Sequence, residues 1–168
     1  MAILEIIKVP DPILRKIAQP VQDYNPELEK LIKNMAETMY NAPGIGLAGN
    51  QVGVLKRIAV VDISRPEEPK NLLVLINPEI VQAEGEDEME EGCLSVPEFR
   101  QKIPRAYKIK VRARNLKGEE FELEAEGLLA RVIQHELDHL DARLILDYAS
   151  PIQRELYLRK RKKLLRRS

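Results

Sequence analysis

Residues 126–146, EGLLARVIQHELDHLDARLIL, constrain this chain more than any other stretch. Leu128, Leu129, Val132, Ile133 and Leu140 recur at helical spacing, which predicts a helix with one side against a core. Set into that helix are the only two histidines of the chain, His135 and His139. A helix turns about 100° per residue, so positions i and i+4 lie roughly 40° apart and both imidazoles can face one ion. Glu136 is displaced round the helix and reaches a water at that ion better than the ion itself. This is the H-E-x-x-H division of labour, two metal ligands and a general base. The bare pattern also arises by chance on ordinary helix faces. Here the histidines interrupt an apolar face, where polar groups must be satisfied to be tolerated, and that favours a site.

A catalytic centre of this kind needs a third protein ligand and one open position. The metzincin pattern would need Gly at 142 and His at 145, and the chain has Ala142 and Ile145. The only downstream glutamate is Glu155, inside a basic tail. Upstream, Cys93 stands in EEGCLSVPEFR (90–100), between Gly92 and a Ser-Val-Pro turn. As the sole cysteine it excludes an internal disulfide. It reads in three ways: a small buried apolar residue, a nucleophile paired with histidine, or a thiolate ligand completing a Cys-His-His set.

Around these residues the chain is organised as an α+β domain. NPELEKLIKNMAETMY (25–40) reads as a helix, with Asn25 as its cap, Pro26 in the first turn, and Glu27 and Glu29 favouring its dipole. NAPGIGLAGNQVG (41–53) reads as a Gly-rich loop, RIAVVDI (57–63) and LLVLIN (72–77) as buried strands, and AEGEDEMEEG (83–92) as an acidic turn. YKIKVRARN and EEFELEAE alternate around Lys117-Gly118, a hairpin signal. A last helix is expected from Pro151, capped by Ser150. At 168 residues, 44% hydrophobic and 32% charged, the chain is expected to fold as one soluble domain over 1–168. No apolar run is long enough for a bilayer, and the N-terminus has no secretory pattern, so a cytoplasmic protein is expected; a processed organellar form would read the same. Net charge is zero, yet residues 154–168 carry eight basic side chains and one acidic one, a net of +7 against −7 for the rest. Such a tail, about 150–168, fits a polyanionic partner or a solvated helix face.

GIGLAGNQVG (44–53), EGCLSVP (91–97) and QHELDH (134–139) occur in the order and at roughly the separations of the three signature motifs of peptide deformylases. The resemblance, to the bacterial type, covers nearly the whole chain, including the opening VPDPILRKIAQPV. Three motifs together are highly specific where each alone is not. The sequence departs from the common family pattern at Gly49, where Ala is usual, and at Ala142 and Ile145, where Gly and Phe are usual. None of these is a metal residue or Gln51, so altered packing is expected rather than lost chemistry.

The resemblance implies small antiparallel sheets packed around a central helix carrying H-E-x-x-H, with a basic C-terminal helix. It implies a hydrolase that removes the formyl group from N-formylmethionine of nascent polypeptides and releases formate. Cys93, His135 and His139 would hold one divalent metal, Fe²⁺ by family habit, with Zn²⁺, Ni²⁺ or Co²⁺ accepted by the same donors. Glu136 would be general base, then acid. The Gln51 amide and the Leu94 backbone N–H would stabilise the oxyanion. The peptide would lie extended against Ile45, Gly46 and the backbone at Gly92, with Ile133 lining the methionine pocket and Arg100 near its mouth. Glu91 and Asp138 are candidate partners of the metal-bound imidazoles. Arg131 is long and charged on a mostly buried helix, and either an ion pair or a snorkelling side chain would accommodate it. The expected partners are formylmethionyl peptides and, through the tail, the ribosome near its exit tunnel; no membrane is expected, and the chain is expected to act as a monomer. Two other readings are a zinc endopeptidase and a non-catalytic RNA-binding protein that works through the basic tail.

Overall fold

A computed structural model describes residues 2–166. The central feature is a five-stranded antiparallel sheet, ordered β1-β2-β3-β6-β7, built from β1 (Gly46–Ala48), β2 (Ile58–Val61), β3 (Leu73–Glu84), β6 (Lys108–Arg114) and β7 (Glu120–Glu126). A separate two-stranded sheet pairs β4 (Asp87–Cys93) with β5 (Val96–Arg105). Helix α1 (Pro26–Asn41) covers one face of the large sheet, and α2 (Gly127–Leu140) covers the other. Helix α3 (Pro151–Arg166) closes the chain.

Burial follows this layering. Strand side chains alternate between faces. In β2, Ile58 and Val60 pack with Leu28, Ile32, Met35 and Met39 of α1. Ala59 and Val61 turn the other way, onto Ala130, Val132, Ile133 and Leu137 of α2. With helices on both sides, β2 is buried at every position, which explains why its sequence is a continuous apolar run. A third cluster, Val9, Leu14, Val96, Ile103, Leu144, Ile145 and Leu146, lies under the small sheet.

The first helix behaves as expected. Asn25 Oδ1 accepts from the Leu28 N–H at 3.0 Å, and Pro26 opens the helix. The hairpin around Lys117-Gly118 forms between β6 and β7, with Gly118 at φ +80°. Ser150 caps α3, its Oγ accepting from the Gln153 N–H at 3.2 Å. The last two residues of the basic tail, Arg167 and Ser168, lie outside the described residues.

Three expectations need correction. The Gly-rich segment contains the edge strand β1 and a 3-10 turn over Gly49–Val52. The acidic stretch is mostly strand: the turn is confined to Gly85-Glu86, and β4 then exposes Glu88, Met89 and Glu90 and buries Glu91. Charge repulsion is relieved because β5 supplies Arg100 to Glu90 and Arg105 to Glu91 as ion-pair partners. The helix with the histidines ends at Leu140 rather than near 146. Its end is a Schellman motif: the Arg143 N–H donates to Asp138 O at 2.7 Å and the Ala142 N–H to His139 O at 3.0 Å. That motif needs a left-handed residue, and Ala142 takes φ +64° without being glycine.

Candidate active site

Helix α2 brings His135, Glu136 and His139 to one side of the large sheet. The turn joining β4 to β5 brings Cys93, Leu94 and Ser95 to meet them. The ladder slips between Gly92 and Cys93, so Cys93 pairs with Val96 across a tight turn and its side chain is re-aimed toward α2. Cys93 Sγ lies 3.3 Å from His139 Nε2, and one ligand atom from each of Cys93, His135 and His139 falls within 4.8 Å of the others. Sulfur and nitrogen ligands at about 2.3 and 2.0–2.1 Å from a tetrahedral ion would stand about 3.3–3.6 Å apart. The Cys93–His139 separation falls in that range, and a thiolate with two imidazoles is a suitable donor set for zinc, nickel, cobalt or ferrous iron.

The orientation of each imidazole has a cause. His135 Nδ1 lies 2.9 Å from Glu91 Oε1, which leaves Nε2 for the site. Burial and the positive field of His135 hold His139 well below its usual range, so it is neutral with a lone pair. At His135 burial acts in the same direction, but Cys93, Glu136 and Glu91 outweigh it and raise the group. His139 Nδ1 is buried without a partner among the described residues. Asp138, the other expected imidazole partner, instead accepts from Arg105 at 2.7 Å and from the Tyr148 hydroxyl at 2.7 Å.

Glu136 is buried, its Oε1 has no hydrogen-bond partner among the described residues, and burial pushes its carboxyl up to about 7. It lies against Gly46: a Cβ there would collide with Glu136 Oε2 and come within 2.9 Å of Val132 Cγ1. The glycine of β1 thus permits the backbone to pass directly over the carboxylate. Gln51 is held by its own turn. The Ala48 N–H donates to Gln51 Oε1 at 3.0 Å, which directs the amide nitrogen to Ser95 Oγ at 3.1 Å and toward Cys93 Sγ at 3.7 Å. Gly49, the departure in this motif, is tightly enclosed, since a Cβ would stand 2.6 Å from Val54 O and 2.7 Å from Lys56 O.

These groups open onto a cavity of about 520 Å³ whose walls include Ile45, Gly46, Gln51, Gly92, Cys93 and Leu94. Arg100 is at its rim, paired with Glu90 at 2.6 Å. Ile133 is not in its wall. It is fully buried and faces the large sheet, because one helical step of about 100° from Val132 turns it into the core. Val132 and Leu128 form that wall instead, with Met89 and Phe99 contributed by the small sheet.

Sequence reasoning missed Arg105 altogether. Its guanidinium donates to both Glu91 oxygens, Nε at 2.8 Å and Nη2 at 2.9 Å, and to Asp138. Burial would raise the Glu91 carboxyl, but the hydrogen bonds from Arg105 and His135 hold it at about 2. No local signal marks Arg105. Only the pairing of β4 with β5 brings it to Glu91.

Comparison with known proteins agrees with this arrangement. The profile of the polypeptide deformylase family matches residues 3–155. The chain is 55% identical over 160 residues to a peptide deformylase of Thermodesulfovibrio yellowstonii, covering 95% of this chain and 97% of that one. A peptide deformylase of Acidobacterium capsulatum is 50% identical over 166 residues, covering 99% and 98%. Among solved structures, a peptide deformylase from Legionella pneumophila superposes with a TM-score of 0.90 at 45% identity, covering 99% of each chain. A peptide deformylase from Ehrlichia chaffeensis in complex with actinonin gives 0.91 at 38% identity, covering 97% of this chain and 98% of that one. The chain therefore belongs to the peptide deformylase family, metal-dependent hydrolases that remove the formyl group from nascent peptides.

Proposed function

We propose that the cavity at the junction of α2 and the small sheet hydrolyses the N-terminal formyl group of formylmethionyl peptides. The observation that carries this reading is the clustering of the Cys93, His135 and His139 donors beside a cavity that Cys93 and His135 line together with the buried carboxyl of Glu136 and the directed amide of Gln51. Cys93, His135 and His139 would hold the metal, and Fe²⁺ is the ion we assign. When bound, it supplies a Lewis acid that makes water a nucleophile near neutral pH.

The chain's own groups do the rest. Glu136 takes the proton of the attacking water at its unpartnered Oε1 and delivers it to the departing amine nitrogen, so that formate and a free amino terminus leave. A carboxyl raised toward 7 by burial is well matched to that exchange. The Gln51 amide N–H and the Leu94 backbone N–H donate to the oxygen of the former formyl group as it gains charge. Gly46 on the edge strand β1 and Ile45 just before it, with Gly92 opposite, offer main chain to an extended peptide, which tolerates varied sequence. Val132 and Leu128 receive the methionine side chain, and Arg100 at the rim faces later residues of the substrate.

Residues 1–168 act in this reading as one catalytic domain, monomeric and cytoplasmic. No helix among the described residues is long and apolar enough to cross a membrane. Helix α3 has no buried residue and ends in Lys163 and Arg166, which suits docking to ribosomal RNA beside the emerging chain. A zinc endopeptidase is disfavoured by the family match and by the upstream thiol ligand. A purely RNA-binding role leaves the buried site without a purpose.

Formate release from a formyl-Met tripeptide tests the proposal, with protein prepared oxygen-free in Fe²⁺ beside Cys93→Ala and Glu136→Ala. The expected result is release by the parent chain, none without the thiol, and a kcat lower by about 10²–10⁴ without the carboxylate. Release that survives in Cys93→Ala would overturn it.

A further inference from the structure

Cys93 and the two histidines stand on elements that share no strand ladder. Cys93 belongs to the β4–β5 hairpin, which is not hydrogen-bonded to the five-stranded sheet, whereas His135 and His139 ride on the helix packed against that sheet. A two-stranded hairpin is marginal by itself. Something must fix it to α2 if three donors are to stay in register.

Arg131 makes that connection. It lies one turn before His135 on α2, with 5% of its surface exposed. Its Nη1 donates to Glu91 Oε2 at 2.6 Å and to Ile103 O at 2.9 Å, and its Nη2 donates to Asp87 O at 2.6 Å. One guanidinium thus reaches a side chain on β4 and a main-chain carbonyl on each strand of the hairpin. With Arg131 in place, each Glu91 oxygen has two partners: Oε1 receives His135 and Arg105, and Oε2 receives Arg105 and Arg131. Glu91 has no freedom left to turn away from His135. The planar fork of arginine is suited to this, and a lysine ammonium could not span the same three acceptors in one plane.

We propose that Arg131 is a positioning residue for the metal centre. It bolts the cysteine-bearing hairpin to the histidine-bearing helix and locks Glu91 onto His135, so that the three donors are preorganised before metal arrives. It borders the cavity but offers no ligand atom to the three-donor set, so its role is exerted through Glu91 and the hairpin. Removal of partners of metal-ligating side chains commonly costs 10–100-fold in metal affinity, which sets the scale expected here.

The test is Co²⁺ affinity, measured by chelator competition on full-length parent, Arg131→Met and Arg131→Lys proteins. The visible absorption of the bound Co²⁺ and the melting temperature of the metal-free protein are recorded alongside. The Met variant is expected to bind Co²⁺ 10–100-fold more weakly, with a changed visible spectrum. The Lys variant keeps the charge and should fold, yet is still expected to bind more weakly than the parent, by at least threefold. A lower melting temperature with Co²⁺ affinity within twofold of the parent and an identical spectrum, in whichever variants fold, would make Arg131 a structural ion pair only and overturn the proposal. The inference rests on the three-donor reading of the site. Failure of the parent itself to bind one Co²⁺ would overturn that reading, a result distinct from equal binding by parent and variants.

Discussion

The two halves of the site are supported by different physics. On the helix side, His135, Glu136 and His139 inherit their places from apolar burial: Ile133 and Leu137 press α2 onto Ala59, Val61 and Leu75 of the sheet. On the hairpin side, Cys93 is held by a buried ionic cluster of Glu91, Arg105, Arg131 and Asp138. Apolar packing fixes depth and tolerates small errors in direction. Forked hydrogen bonds fix direction but depend on every partner being present. A site assembled from both gains a rigid platform and an aimed thiol, and its weak point is the charged half.

Glu91→Leu should break this comparison most severely, because it leaves two guanidinium groups buried without their carboxylate. A loss of about 3–5 kcal/mol is expected in urea unfolding of the metal-free protein. Buried pairs are screened little, so the loss should persist at high salt. On the helix side, Ile133→Ala should cost about 2–5 kcal/mol through the cavity it leaves. Its signature should differ: the Co²⁺ spectrum of the folded fraction should stay that of the parent, since no hydrogen bond to a ligand is touched. A spectrum altered by Ile133→Ala would erase the division between the two halves.

A smaller effect of opposite sign is expected at the end of α2. Ala142 holds a left-handed conformation that glycine adopts without cost. Ala142→Gly should therefore stabilise by about 1 kcal/mol, read as a higher melting temperature with unchanged activity. An effect confined to acid pH lies outside both halves. Burial pushes the Asp62 carboxyl up, but hydrogen bonds from Ser64, Tyr40 and Asn71 win and hold it at about 2, against 3.8 ordinarily. A depressed carboxyl contributes stability above the unfolded value and loses it as pH falls through the folded one. The stability gap between the parent and Asp62→Asn should thus be full above pH 5 and shrink between about pH 4 and 2. A gap independent of pH would show that Asp62 acts through shape alone.

How far the sequence could be read follows the same division. Helical periodicity named α2 and put both histidines on one face, because spacing within one helix is a local property. The end of that helix was not legible, since a Schellman motif is normally announced by glycine and here the position is Ala142. The sequence reading puts Ile133 in the pocket, and it lies in the core. Periodicity gives the apolar side of a helix, but a single residue at the edge of that side is decided by what packs there. The strand character of β4 is hidden by its acids, whose charge is balanced only by basic residues that the fold brings to them, Arg100 and Arg105 of β5 among them.

The amino-acid sequence by itself determined the family motifs, the two-histidine helix, the first helix with its Asn25 cap, and the β6–β7 hairpin. Each is written within a few consecutive turns or strand residues, where covalent geometry fixes the spacing. Tertiary structure alone decided which carboxylate orients His135, that Asp138 serves Arg105 instead of an imidazole, and that Arg131 is an ion pair rather than a snorkelling side chain. Arg131 is 40 residues from Glu91, and Arg105 is 14 from it. No local pattern links such partners. Their meeting depends on how a small hairpin is laid against a helix, which only the packed molecule specifies.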